Sequence, residues 1–258
     1  MLRWSLGLTR WDRVMNEDVR KRLEDMAGDE NVRVSEKLHF NTFEFEFENL
    51  HYAEGRGQTY VIFDVKPQSE GGRGERLWGY VRNKPLGDHA EVILMSKIND
   101  HLETHQDNYT MTWYMSWSPC GKCSSELVPW LQNLLKKQHK LTMHFSRIYD
   151  KDRAVDHRGL CDLQHVVSNG FQMGVMGQTE VDTCLAEYVE ASGCPPLKWL
   201  HMTDSNATQM QDKLSSILAG TRNHQGMEPA EEEREGSQGR GGRERGRRGG
   251  EGEEGGWR

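Results

Sequence analysis

The sequence has 258 residues, 35% of them hydrophobic, and its 33 basic and 40 acidic side chains give a formal net charge of −7. This length is enough for one large domain, and the acidic balance excludes a protein coated in positive charge for duplex DNA. The odd number of five cysteines, with no apolar leader and no run of about 18 apolar residues, argues against a secreted disulfide scaffold and against a membrane span.

Residues 1–34 are charged and of mixed composition, and they predict an N-terminal extension that is helical in part, over Asp18–Met26. From residue 35 to residue 220, strand patterns alternate with helix patterns, as in an α/β domain. Strands are predicted at Thr59–Val65, Leu77–Val81, Tyr109–Trp117, Leu141–Tyr149 and Phe171–Met176. Apolar residues at helical spacing predict helices around 90–102, 127–135 and 210–218, the last ending at Gly220.

One further segment has the alternating pattern of a strand. Residues Asn41–Glu48 alternate apolar and acidic side chains with a period of two. By pattern alone this predicts a half-buried strand.

The C-terminal segment, 221–258, has a different composition from the rest of the chain. Its last 33 residues hold 11 of the 27 glycines together with 9 Glu and 7 Arg. Such a segment cannot bury a core, so we expect a disordered Gly/Arg/Glu-rich tail.

Two short motifs carry the chemistry. His89-Ala90-Glu91 opens one predicted helix, and Pro119-Cys120-Gly121-Lys122-Cys123 opens another directly after a strand. Cysteines three residues apart lie on one helical face, and a helix N-terminus favours their thiolate forms. With His89 they make three zinc ligands and leave a fourth position open, the arrangement of a catalytic site. Glu91 is then the candidate proton shuttle between the attacking water and the ring nitrogen and leaving amine.

Other interpretations of these motifs exist. The same residues would suit a structural zinc site, or a pair of core cysteines with an unrelated histidine. The two half-motifs agree with each other, however, and together they match the signature of zinc-dependent nucleobase deaminases. Adenosine deaminases of tRNA and free-nucleoside deaminases share that minimal signature, so it does not by itself choose cytosine over adenine.

Flanking residues narrow the resemblance to one family. Segments 116–120 (Ser-Trp-Ser-Pro-Cys) and 78–84 (Trp-Gly-Tyr-Val-Arg-Asn-Lys) resemble the AID/APOBEC polynucleotide cytidine deaminases, and Ser-Trp-Ser before Pro119 favours cytosine. Segment 32–38, with Thr42-Phe43, Gly79-Tyr80 and Asn83-Lys84-Pro85, looks most like the lamprey members. The resemblance spans roughly residues 32–220.

This resemblance implies a cytidine-deaminase-like α/β fold, with a central five-stranded mixed sheet flanked by about six helices. The N-termini of the second and third helices would hold the zinc. It also implies that the segment around Phe43–Phe47 belongs to the first helix, against its period-two pattern.

The resemblance further implies a set of substrate contacts. Thr59 and Asn83 would contact the target sugar and base, Trp117 and Tyr149 would flank the flipped cytosine, and Ser118 would lie in the loop that meets its Watson–Crick edge. Asp150 follows Tyr149 in the loop that reads the nucleotide 5′ to the target. A carboxylate there can accept a hydrogen bond from thymine N3, which predicts a 5′-TC preference unless Lys151 draws Asp150 into a salt bridge.

The expected function is zinc-dependent hydrolytic deamination of cytosine to uracil in single-stranded DNA, in the cytoplasm or the nucleus. The resemblance implies antigen-receptor diversification, with defence against foreign DNA as the alternative. Residues 71–84, with four basic side chains and one acidic, are the first place to expect a track for the DNA backbone. The rival functions are a free-nucleoside or RNA cytidine deaminase and a catalytically inert, zinc-containing nucleic-acid-binding protein.

Overall fold

The computed structural model describes residues 31–49, 57–69, 74–84, 87–105, 107–166, 170–190 and 203–220. The predicted helix at Asp18–Met26 and the predicted tail at 221–258 lie outside these residues. The described strands are β1 (Val32–Val34), β2 (Tyr60–Pro67), β3 (Leu77–Arg82), β4 (Tyr109–Met115), β5 (Lys140–Phe145) and β6 (Phe171–Val175). The described helices are α1 (Phe40–Phe47), α2 (Ala90–Thr104), α3 (Gly121–Lys136), α4 (Arg153–Gln164), α5 (Gln178–Glu187) and α6 (Thr203–Gly220).

The strands form one mixed sheet in the order β1-β3-β2-β4-β5-β6. The pairs β1–β3, β3–β2 and β2–β4 are antiparallel, and the pairs β4–β5 and β5–β6 are parallel. The expected cytidine-deaminase-like α/β fold is therefore confirmed, and the expected six helices are present among the described residues.

The strand count corrects the expectation of a five-stranded sheet, because β1 adds a sixth strand at the edge. It is three residues long, which is too short for a periodic pattern, and it pairs Val32 with Val81 and Val34 with Gly79. Gly79 has a φ of +148°, and a Cβ at this position would overlap the carbonyl oxygen of Arg33. Only glycine lets β1 approach β3 this closely.

Helices cover both faces of the sheet. One buried cluster packs side chains of α2, α3, α4 and α6 against the sheet, with Leu94, Leu127, Leu160 and Leu214 at its centre. A second cluster, on the other face, includes Phe43 and Phe47 of α1 and Val181 and Cys184 of α5. The result is a sheet with a helical layer on each side.

Segment Asn41–Glu48 is helical as far as Phe47, as the family resemblance implied and as the period-two pattern did not. Phe43 and Phe47 are four residues apart, so on a helix they share a face, and their rings stack at 4.8 Å between centroids. Both are buried, whereas Phe45, on another face, is 49% exposed. Burial of two phenylalanines outweighs the alternating pattern.

Strands β4 and β5 end earlier than predicted, at Met115 and Phe145, which are paired in parallel register. Trp117 and Tyr149 therefore lie in loops at the same end of the sheet, where the carboxyl ends of β4 and β5 meet. Because β2 is antiparallel to β3 and β4, its first residue, Tyr60, lies at this end of the sheet as well. The topology thus gathers the predicted site at one end of the sheet.

Candidate active site

The three predicted zinc ligands converge at the start of two helices. His89 is the N-cap residue of α2, Cys120 is the N-cap residue of α3, and Cys123 lies one turn further on. His89 Nδ1 is 3.5 Å from Cys120 Sγ and 3.2 Å from Cys123 Sγ, and the three possible ligand atoms all lie within 4.8 Å of one another. The structure therefore brings together residues that are 31 and 34 positions apart in the sequence.

The chemistry of these donors fits a zinc ion. Two cysteine sulfurs and one imidazole nitrogen are ligands that zinc prefers, and three protein ligands leave a fourth tetrahedral position. The hydrogen bond with Cys123 lowers the pKa of the Cys120 thiol to about 5 although burial opposes ionisation, and the same bond raises the pKa of Cys123. Cys120 Sγ also accepts a hydrogen bond from the backbone N–H of Cys123. These features favour a thiolate at Cys120, the form that binds metal.

Glu91 lies in the first turn of α2, two residues after His89, and is only 2% exposed. Its Oε2 atom is buried and has no hydrogen-bond partner among the described residues. Burial raises the pKa of Glu91 to about 7. A buried carboxylate oxygen without a partner is costly, and this one belongs to a residue next to three candidate metal ligands, which points to a chemical role.

Thr59 and Asn83 lie side by side at the same end of the sheet. The backbone N–H of Thr59 donates to Asn83 Oδ1 at 2.8 Å, and the backbone N–H of Asn83 donates to the carbonyl of Thr59 at 3.1 Å. The start of β2 and the end of β3 are thereby tied together. Both side chains are partly exposed, so they can contact a ligand at this end of the sheet.

Trp117, Ser118 and Tyr149 form one connected group. The rings of Trp117 and Tyr149 meet edge to face with centroids 6.1 Å apart. Ser118 is 2% exposed, and its Oγ accepts a hydrogen bond from the backbone N–H of Tyr149 at 2.9 Å. Burial raises the pKa of Tyr149, and the negative groups of Asp156, Cys120, Cys123 and Glu91 raise it further. Tyr149 therefore interacts electrostatically with two of the candidate metal ligands.

Comparison with known proteins agrees with this geometry. Residues 36–218 match the family model described as APOBEC3, cytosine deaminase domain. The chain belongs to the APOBEC cytosine deaminase family.

Individual relatives of the APOBEC family are about 30% identical. The DNA dC->dU-editing enzyme APOBEC-3 of Mus musculus is 29% identical over 182 residues, which is 69% of this chain and 39% of that protein. The DNA dC->dU-editing enzyme APOBEC-3Ca of Felis catus is 31% identical over 161 residues, 61% of this chain and 81% of that protein. The C->U-editing enzyme APOBEC-2 of Mus musculus is 32% identical over 113 residues, 44% of this chain and 49% of that protein. The chain thus spans half or less of these two mouse relatives.

Within this APOBEC domain, Asp150 has a partner that the sequence did not indicate. The expected competitor for its carboxylate was Lys151, but the ion pair forms instead with Lys213 of α6, whose Nζ lies 2.6 Å from Asp150 Oδ2. Lys213 is far away in the sequence and belongs to no motif, so no local signal could have identified it.

Arg147 is also more deeply placed than its charge suggests. It is 2% exposed, and its guanidinium carbon lies 4.3 Å from the centroid of the Trp117 ring. Its two terminal nitrogens donate to the carbonyls of Glu46 and Glu48, at the C-terminal end of α1. Arg147 therefore stacks on the Trp117 ring and connects this residue to the C-terminal end of α1.

The basic segment 71–84 is only partly available for DNA. Arg73 lies outside the described residues, and Arg76 pairs with the buried Asp64 at 2.7 Å and with Glu187 at 3.5 Å. Arg82 and Lys84 remain partly exposed.

Among the helices that the structure describes, none is long and apolar enough to cross a membrane.

Proposed function

We propose that this protein is a zinc-dependent deaminase that converts cytosine to uracil in single-stranded DNA. The observation that carries the proposal is the convergence of His89, Cys120 and Cys123 beside Glu91, a buried carboxylate whose Oε2 has no hydrogen-bond partner among the described residues. This set combines a soft metal site with a group able to move protons, which is what hydrolytic deamination requires.

His89 Nδ1, Cys120 Sγ and Cys123 Sγ would hold the zinc. When bound, zinc lowers the pKa of a water ligand and so supplies a nucleophile at neutral pH. Both cysteines lie at the N-terminus of α3, where the helix dipole favours negative charge on their sulfurs.

Glu91 would act as general base and general acid. Its carboxylate would take one proton from the attacking water and pass it to N3 of cytosine as the water oxygen bonds to C4. The second proton of the water would then be passed to the 4-amino group, and cleavage of the C4–N bond would release ammonia. A raised pKa suits both halves of this task, because the group must take up and release a proton near neutral pH.

The surrounding side chains would bind a base swung out of its strand. The edge-to-face pair of Trp117 and Tyr149 offers aromatic surface on which a cytosine can pack, and Thr59 and Asn83 offer polar groups for the sugar and base. Ser118 is 2% exposed and its Oγ accepts the Tyr149 N–H, so it would hold in place the loop that meets the Watson–Crick edge. A single strand is the favoured substrate because its bases need not be unpaired first.

Asp150 would read the nucleotide 5′ to the target. Lys213 contacts Oδ2, and a carboxylate accepts several hydrogen bonds, so Oδ1 can still accept one from thymine N3. Adenine N1 is itself an acceptor and would be repelled. The ion pair with Lys213 holds the carboxylate in one orientation and leaves Oδ1 able to accept, so the proposed 5′-TC preference is compatible with it.

The cellular role would be antigen-receptor diversification, by resemblance to the lamprey enzymes, or defence against foreign DNA. Either role requires DNA in the nucleus or the cytoplasm. The net charge of −7 predicts weak, salt-sensitive DNA binding or delivery by a partner. Two relatives named as DNA dC->dU-editing enzymes support DNA as the substrate class.

The test compares a single-stranded DNA oligonucleotide, the RNA of the same sequence and free cytidine, each with the wild-type protein and with Glu91→Gln. We expect uracil only in DNA, no product with Glu91→Gln, and equal zinc in both proteins. Product from RNA or cytidine alone would favour the rival deaminases. No product from any substrate with a zinc-loaded wild type would favour an inert binding protein.

A further inference from the structure

Asp156 is a buried carboxylate outside the zinc motifs, and it touches the turn that carries two of the proposed ligands. It lies in the first part of α4 and is 3% exposed. Its Oδ1 accepts a hydrogen bond from the backbone N–H of Gly121 at 2.8 Å, and its Oδ2 accepts one from the backbone N–H of Asp152 at 2.9 Å. Both oxygens are therefore used to hold backbone.

The Gly121 N–H is a group that helix geometry leaves without a partner. Gly121 is the first residue of α3, and it lies between Cys120 and Cys123. The first N–H groups of a helix have no intrahelical acceptor, and a negative charge at this end is favourable. Asp156 satisfies this N–H, while Cys120 Sγ accepts the N–H of Cys123. The turn is thus capped from two sides.

Helix α4 also lies unusually close to this turn. A Cβ added to Gly121 would stand 2.7 Å from the carbonyl oxygen of Val155, and one added to Gly159 would stand 3.0 Å from Gly121 Cα. Neither glycine can be replaced without moving one backbone away from the other. The backbone of α4 therefore lies against the turn Cys120–Cys123, and the Asp156 carboxylate makes the polar contact between the two.

The Asp152 N–H ties the same carboxylate to the loop that precedes α4. Asp152 is the N-cap residue of this helix and makes no side-chain cap of its own. The loop is held at its other end by Ser118 Oγ, which accepts from the N–H of Tyr149. The segment between Tyr149 and Asp152 is thus fixed at both ends.

We propose that Asp156 is a positioning residue that holds the Cys120–Cys123 turn in the geometry that retains the metal. The inference rests on the proposed function in one respect, that the metal bound is zinc. Removing the carboxylate leaves the Gly121 N–H buried without an acceptor and unties α4 from the turn, so the two sulfurs lose their fixed spacing. Groups that orient metal ligands in this way typically change metal affinity about 10-fold or more when removed.

The test uses the full chain loaded with zinc, as wild type, Asp156→Ala, Asp156→Asn and Asp162→Asn. Asparagine keeps one acceptor oxygen and so can keep one of the two bonds. Asp162 is an exposed residue of the same helix, and its variant is the matched control. The readouts are the rate of zinc release to a colorimetric chelator and the visible absorption bands of the cobalt-substituted protein, which report the geometry of the thiolate ligands.

We expect zinc release about 10-fold faster from Asp156→Ala, an intermediate rate from Asp156→Asn, and the wild-type rate from Asp162→Asn. The cobalt bands should shift in the same order. A cooperatively folded Asp156→Ala with the wild-type release rate and cobalt spectrum overturns the proposal. If Asp156→Ala does not fold, Asp156→Asn decides: faster release than wild type supports the proposal, and an unchanged rate overturns it.

These readouts do not depend on deamination. If the wild type deaminates no substrate but the order of metal release holds, the proposed function fails and the role of Asp156 stands. If the wild type deaminates DNA but the four proteins release zinc alike, the role of Asp156 fails and the proposed function stands.

Discussion

The Nζ atom of Lys213 lies 2.6 Å from Oδ2 of Asp150, and this contact joins the last described helix to the loop after β5. The two side chains are 29% and 34% exposed, so the pair lies at the surface but is not fully solvated. Lys213 is therefore the side chain that orients the carboxylate proposed to read the 5′ nucleotide.

Replacing Lys213 with methionine should weaken the 5′-TC preference without abolishing deamination. The carboxylate would lose its fixed orientation, and a half-exposed ion pair contributes about 1 kcal/mol or less, so the ratio of rates on 5′-TC and 5′-AC should fall by up to about fivefold. The measurement is deamination of four oligonucleotides that differ only at the 5′ base.

Lys151→Met is the matched control, since it removes the same charge next to Asp150 without breaking the contact. It should leave the preference unchanged, whereas Asp150→Ala should remove it. An unchanged preference in Lys213→Met, together with its loss in Asp150→Ala, would mean that Lys213 does not orient the carboxylate.

The convergence of the three candidate metal ligands could be predicted from the sequence because their signal is local. Cys120 and Cys123 are one turn apart, and His89 opens a helix with clear apolar spacing, so each half of the site is defined within a few residues. The joining of the halves follows from strand order, which places the residues after β3 and β4 at one sheet edge.

Arg147, Asp156 and Lys213 could not be predicted because their roles depend on tertiary contacts. Each uses a common charged side chain, and the hydrogen bonds Asp156–Gly121, Lys213–Asp150 and Arg147–Glu46 join residues 35, 63 and 101 positions apart. Strand β1 was missed for a related reason. A three-residue strand has no measurable period, and its place is set by Gly79 on the neighbouring strand.

Arg147→Lys should destabilise the protein although it preserves the charge. A compact ammonium cannot stack on Trp117 and donate to the carbonyls of both Glu46 and Glu48 as the planar guanidinium does. Losing one such charged hydrogen bond should lower the free energy of unfolding by about 2 kcal/mol. Urea denaturation measures this change. Arg158→Lys, at an exposed position of α4, should behave as wild type, and equal losses in the two variants would contradict the proposed support of Trp117.

Cys120→Ser should lose both zinc and thermal stability, because it removes a ligand that joins the starts of α2 and α3. Cys161→Ser is the control, since Cys161 is buried elsewhere and donates to the carbonyl of Ile217. Metal content and melting temperature should be measured on the same samples. Full zinc content in Cys120→Ser would show that the ligand set is misassigned.

Asp64→Asn should destabilise the protein at neutral pH and have less effect in acid. Burial opposes ionisation of Asp64, but hydrogen bonds from Arg76, Lys66 and Tyr188 outweigh it, and the pKa of Asp64 is lowered below 3.8. A lowered folded-state pKa stabilises the protein above the unfolded value of about 3.9, and this stabilisation is lost as the pH falls through the folded-state value.

The variant should therefore be less stable than wild type by about 1 to 2 kcal/mol from pH 5 to pH 7, with the difference shrinking below about pH 4. Denaturation at pH 7, 5, 4 and 3 measures it. Asp162→Asn, at an exposed position of α4, should give only a small difference at pH 7. A difference for Asp64→Asn that is as large at pH 3 as at pH 7 would contradict the assignment.

Two truncations separate the C-terminal helix from the tail. Met210, Leu214 and Ile217 of α6 are at most 9% exposed and pack onto the core, and Cys161 of α4 contacts the carbonyl of Ile217. Residues 221–258 contain only Met227, Ala230 and Trp257 as apolar side chains, and such a composition cannot contribute much to a core.

A chain ending at residue 220 should therefore keep the melting temperature and the deamination rate of the full chain. A chain ending at residue 202 should lose several degrees of melting temperature and show a weaker 5′-TC preference, because it lacks both the buried face of α6 and Lys213. If ending the chain at residue 220 lowered the melting temperature as much as ending it at residue 202, the tail would belong to the folded domain. If it lowered only the affinity for oligonucleotides, the arginines of the tail would be part of the DNA contact.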